Sequence, residues 1–161
     1  YMVIGGLNGA IASFTGQNFG ANKFKRIKQG YYTALLLGII YSVIMSIIFI
    51  AFKEPIIRLF IREQNTIIIA GAYLQAVAFS QSFSTIEMVS NGFFTGIGMP
   101  KIPATISIVF TVLRIPMALI FMKYLGINGI WWSIAISSIL KGIAAYFMYL
   151  IKIRRSYKDV K

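Results

Sequence analysis

The sequence has no cysteine and no histidine. That excludes disulfides, a thiol nucleophile and a histidine-based metal site. Acid is almost as scarce. Four Asp and Glu stand against sixteen Lys and Arg, for a net charge of +12. Without histidine no Ser–base–acid triad can be assembled, and one acid in an apolar stretch makes no paired-carboxylate site. No phosphate-binding glycine loop with Lys and Ser/Thr is present. The chain is therefore read as a protein other than an enzyme, with no cofactor. Charge of either sign is thin: 12% of 161 residues, where soluble domains carry about 25%.

Apolar residues fill the gap. Hydrophobic types make up 58%, and mean hydropathy is +0.76. The runs are long. Residues 31–52 form a run of 22 without a charge, and 66–86 a run of 21. Residues 102–122 are interrupted only by Arg114, and 130–151 only by Lys141. About 20 apolar residues, at about 1.5 Å each, cross the hydrocarbon core. Lipid offers backbone N–H and C=O groups no partner, so such runs must be helices. Barrel strands would alternate over about ten residues, which these runs do not.

The sequence thus predicts an all-α, polytopic transmembrane protein. Residues 1–17 read as the end of a truncated transmembrane helix, and 18–30 as a cytoplasmic basic loop. Transmembrane helices follow at about 31–52, 66–94, 102–122 and 130–151, with a cytoplasmic tail at 152–161. The helix at 31–52 is nearly featureless and is expected at the periphery with wide lipid contact. Between the first two full spans, KEPIIRLFIRE reads as a short interfacial helix. Ile56, Ile57, Leu59, Phe60 and Ile61 would face lipid, with Arg58 and Arg62 outward.

A basic chain raises the question of nucleic acid. Here the charge sits in short clusters between apolar runs, so membrane lipids are the expected partner and nucleic acid is not. Four spans put Lys23, Lys25, Arg26, Lys28, Lys101, Lys152, Arg154, Arg155, Lys158 and Lys161 on one side. Lys53, Arg58, Arg62 and Lys123 fall on the other. Ten against four makes the first side cytoplasmic, including the C-terminus, in the cell membrane. Trp131 and Trp132 then fall at the outer interface, where indole rings settle.

Several residues break the apolar pattern. Glu87 is the one acid inside a span, so it must be protonated, paired or facing water. It reads either as a proton or cation coupling site or as half of a structural ion pair. Arg114 and Lys141 lack an acid at i±3 or i±4 and need partners elsewhere. Lys141 is the expected internal partner of Glu87. Pro116 lies mid-helix and frees a carbonyl, as a hinge or as an ordinary tolerated proline. The helix at 66–94 is polar for a span, carrying Gln75, Ser80, Gln81, Ser82, Ser84, Thr85, Ser90 and Asn91. Some should face other helices and the rest an aqueous path.

Four segments then stand in order: GQNFGANKFKRIKQG at 16–30, NGFFTGIGMPKIP at 91–103, RIP at 114–116 and LGINGIWWSI at 125–134. Together they resemble the C-terminal part of the multidrug and toxic compound extrusion (MATE) family, from the end of its eighth helix through its twelfth. The resemblance implies a partial C-lobe of a two-lobe transporter. It implies export of organic cations or drugs, coupled to Na+ or H+ influx, and a partner in the N-terminal lobe that this chain lacks. A part-lobe of this kind is expected to be inactive alone. Family members use an acid in the tenth helix at their cation site; here that helix offers only Glu87, toward its cytoplasmic end. Gln75, Gln81, Phe79, Glu87 and Arg114 are the expected pathway residues. Arg114 and Lys141 against one acid also leave open a related exporter of lipid-linked or anionic substrates. A non-transporting remnant is the third reading.

Overall fold

The computed structural model describes residues 2–60 and 62–158. They form six α-helices and, among the described residues, no strand. These are α1 (Met2–Gly20), α2 (Phe24–Ala51), α3 (Lys53–Arg58), α4 (Gln64–Gly96), α5 (Lys101–Leu125) and α6 (Ile127–Lys158). Four helices are long and apolar enough to cross a membrane: Phe24–Ala51, Thr66–Gly96, Lys101–Leu125 and Ile127–Arg154. The chain is a multi-pass helical membrane protein.

The helices outrun their apolar stretches. The basic segment expected as a loop over 18–30 is instead a turn at Ala21–Lys23, with Asn22 at φ 56°. Lys25, Arg26 and Lys28 lie in the first turns of α2. The polar stretch expected as a tail from 152 continues α6 to Lys158, and 159–161 lie outside the described residues. Hydropathy marks where lipid begins, whereas backbone hydrogen bonding carries on into water. Lys and Arg are good helix formers and do not stop it. Pro103 sits in the first turn of α5, where its missing N–H costs nothing.

The interfacial helix is shorter than the pattern that suggested it. α3 ends at Arg58, which pairs with Glu54 at 2.8 Å. Ile57 turns away from lipid, is buried and faces α4 at Gly71. Leu59 and Phe60, beyond the helix, are the exposed residues. Ile61 lies outside the described residues.

α4 is the central element. It packs against α1, α2, α3 and α6, and touches α5 lightly. Apolar side chains gain little by leaving lipid for one another, so membrane helices join through close packing. Small residues permit that here. A methyl group at Gly96 would come within 2.5 Å of the Ala12 carbonyl oxygen on α1. One at Gly142 of α6 would collide with the Phe83 backbone on α4.

Near the basic end of the bundle, Tyr31 of α2 stacks on Tyr149 of α6 with centroids 3.6 Å apart. Phe93 of α4 meets Tyr149 edge-on at 4.8 Å. The Tyr31 hydroxyl shares a 2.8 Å hydrogen bond with Ser90.

α2 is less peripheral than its featureless sequence suggests. Tyr31, Ala34, Gly38 and Ser42 are buried on one face, while Leu36, Ile40, Ile44 and Ile47 stay exposed on the other. The outermost helix is α5. None of its most apolar stretch is buried, against 17% for α2. α5 packs almost wholly on α6.

Candidate functional site

The intramembrane charges sit on three neighbouring helices: Glu87 on α4, Arg114 on α5 and Lys141 on α6. Glu87 is half-buried, and Lys141 and then Arg114 are the cations that act on it electrostatically. Direct contact between Glu87 and Lys141 is not made. Among the described residues the one ion pair within 4.0 Å is Glu54–Arg58. The Lys141 ammonium donates instead to Thr111 Oγ1 at 3.0 Å and Ser107 Oγ at 3.3 Å, both on α5.

The cause is helical geometry. Gly142 is the residue pressed against α4, at Phe83. Lys141 precedes it by one position, about 100° round the helix, and so faces α5. Lys141 is 8% exposed, and its amine is held by neutral hydroxyls, with its counter-charge farther off.

This polar seam between α5 and α6 was missed in the reading of the sequence. On α6, Ser133, Ser137 and Lys141 repeat every four residues, and all are buried. On α5, Ser107, Thr111 and Arg114 share a face by spacings of four and three. Ser137 donates to the Phe110 carbonyl at 2.9 Å. The spacing was visible, but it was hidden among many other Ser and Thr residues. Arg114 Nε is buried and has no hydrogen-bond partner among the described residues.

The other expected pathway residues do not gather here. Gln75 lines a separate cavity of about 360 Å³ between α3 and the start of α4, with Lys53, Glu54 and Gln64. Phe79 is 52% exposed and stacks on Trp132 at 6.1 Å. Gln81 is buried within the bundle. Several polar residues of α4 are spent on bonds to α2 or to α4 itself. Ser82 accepts from Ser42 at 3.2 Å, Thr85 bonds back to the Gln81 carbonyl, and Ser90 meets Tyr31. Pro116 lies inside α5, one residue beyond exposed Ile115. Among the described residues no three acids converge to cage a metal ion.

Long lipid-exposed helices around a charged, hydroxyl-lined seam define a polytopic helical membrane protein. The MatE family model matches residues 1–120, and the chain belongs to that family. Human "Multidrug and toxin extrusion protein 1" is 24% identical over 146 residues, covering 89% of this chain and 26% of that protein. "Probable multidrug resistance protein YpnP" of Bacillus subtilis (strain 168) is 30% identical over 141 residues, covering 87% and 32%. A solved inward-facing conformation of a multidrug resistance MATE family transporter of the MOP superfamily superposes with a TM-score of 0.87. It is 21% identical and covers 94% of this chain and 36% of that one. An outward-facing conformation of such a transporter gives 0.84. The chain spans about a quarter to a third of the length of these curated relatives.

Proposed function

We propose that this chain is part of the C-terminal lobe of an antiporter that exports organic cations or drugs in exchange for Na+ or H+. The observation that carries the reading is Glu87. It is the one acid in a spanning segment, half-buried on the central helix and within electrostatic reach of two fixed cations. A carboxylate so placed exchanges one positive charge for another: a proton or Na+ against a cationic substrate. Phe79 supplies an aromatic face for such a substrate, and Gln75 a polar wall nearer the other end. Pro116 lets α5 bend when the lobe moves.

The end bearing Lys25, Arg26, Lys28, Lys101, Lys152 and Arg154 faces the cytoplasm of a cell membrane, by the bias of positive charge. The N-terminal lobe is the necessary partner, because alternating access rocks one lobe against the other around a site between them.

The test is ethidium efflux from proteoliposomes under an imposed Na+ or H+ gradient, with the chain carried in a polypeptide that supplies the other lobe. Gradient-driven efflux that Glu87→Gln lowers at least ten-fold is the expected outcome. Efflux that ignores both gradients removes coupled antiport. The chain alone is expected to give none. A second reading rests on Arg114, whose buried Nε lacks an acceptor, and on Lys141. Two cations against one acid suit an anionic or lipid-linked substrate. Efflux of an anionic dye in place of ethidium would favour it.

A further inference from the structure

The outward face of α2 has a chemistry that the transport reading leaves unused. Lys25, Lys28, Gln29, Tyr32 and Thr33 border a cavity of about 650 Å³ at the start of the helix. All five are exposed. Their spacing of three and four places them on one face. The same face continues as Leu36, Ile40, Val43 and Ile47, which are 43–61% exposed. One stripe therefore grades from two ammonium groups, through an amide, a phenol and a hydroxyl, to bare hydrocarbon. Lys28 and Tyr32 are about 6 Å apart along the helix axis. That matches the thickness of the headgroup layer of one leaflet.

The positive charge at this end is unopposed. Among the described residues the acids are Glu54, Glu63 and Glu87. Glu54 and Glu63 lie at the far ends of α2 and α4, and Glu87 lies within the α4 span. Asp159 follows in the sequence, outside the described residues. Tyr32 is fixed in place. Its ring meets Tyr31 edge-on at 5.6 Å and Tyr149 at 6.2 Å, so it is braced by the buried aromatic cluster.

We propose that this stripe seats an anionic phospholipid, its phosphate held between the Lys25 and Lys28 ammonium groups and an acyl chain lying along Leu36 and Ile40. Net negative charge is what the two lysines select. A zwitterionic lipid also presents a cationic group that they repel.

The experiment places the purified chain in nanodiscs of phosphatidylcholine with a minor fraction of phosphatidylglycerol. Native mass spectrometry then counts the lipids that stay bound. Phosphatidylglycerol is expected to be retained over phosphatidylcholine. Retention is expected to fall about five-fold in Lys25→Gln or Lys28→Gln and about thirty-fold in the double variant. Both positions are exposed, so far-UV circular dichroism should show unchanged helix. Lys53→Gln with Lys123→Gln, at the opposite end, should leave retention as it was. Wild-type retention in the Lys25/Lys28 double variant overturns the proposal. An equal loss in the Lys53/Lys123 pair does so too, since it would mean diffuse charge attraction. A lipid-free dimer that buries Ile40 also overturns it, because a second copy would then cover the stripe.

Discussion

α4 and α5 cross the same membrane and are held in opposite ways. α4 is fixed by backbone approach. Gly96 lets α1 come against it, and α4 in turn fits its Phe83 backbone against Gly142 of α6. α5 rests mainly on α6 and is tied to it by side-chain hydrogen bonds from Lys141 and Ser137. The first arrangement is rigid because it has no room to give. The second holds through polar groups that lipid cannot satisfy, and such bonds can be exchanged for others. A lobe built this way keeps a stiff centre and a more loosely held outer helix.

The comparison is most easily broken at Gly142. Leucine there would push α6 off the Phe83 backbone, and overpacking of this kind costs about 3 kcal/mol. Thermal unfolding in detergent, followed by near-UV circular dichroism, should show a large loss of stability. An unchanged midpoint would mean that the close approach is not what holds α4.

A smaller effect is expected from Ser107→Ala combined with Thr111→Val. Both acceptors of the Lys141 ammonium disappear, leaving a buried donor without its hydroxyls at a cost of about 1–2 kcal/mol. Hydrogen exchange should rise in α5 and stay constant in α1 and α4. A rise spread evenly over all helices would contradict the division between a stiff centre and a loosely held α5.

The smallest change belongs to Tyr31→Phe. It deletes the 2.8 Å bond to Ser90 but keeps the stack on Tyr149. Interhelical hydrogen bonds in membranes average about 0.6 kcal/mol. A loss well above that, read from the same unfolding curves, would show that the α4 seam also depends on polar contacts.

Much of the fold was legible because lipid imposes one rule on every spanning residue. Uncharged runs gave the number of spans and their order. The helix ends escaped that reasoning at Lys25–Lys28 and at 152–158. Charge says where the membrane stops and is silent on where the helix does. The candidate site was legible in its parts. Glu87, Arg114 and Lys141 stand out as charges in apolar runs, and pairing Glu87 with Lys141 was the natural inference from depth. Depth carries no azimuth, however. Which way Lys141 points follows from Gly142 lying against Phe83, a contact between residues nearly sixty apart in sequence. The hydroxyl partners Ser107 and Thr111 became identifiable only once that azimuth was known.

Gly126 is the single residue between α5 and α6, at φ 57° and ψ −142°, a conformation that glycine adopts and other residues resist. A joint one residue long has no slack. α5 cannot slide along α6 without tearing the vertex, so it can only swing about that point, like one arm of a pair of tongs. The travel is nil beside Gly126 and largest at Lys101, where α5 starts. A reporter of α5 motion therefore belongs near Lys101, and an inserted tag at Gly126 would uncouple the two arms.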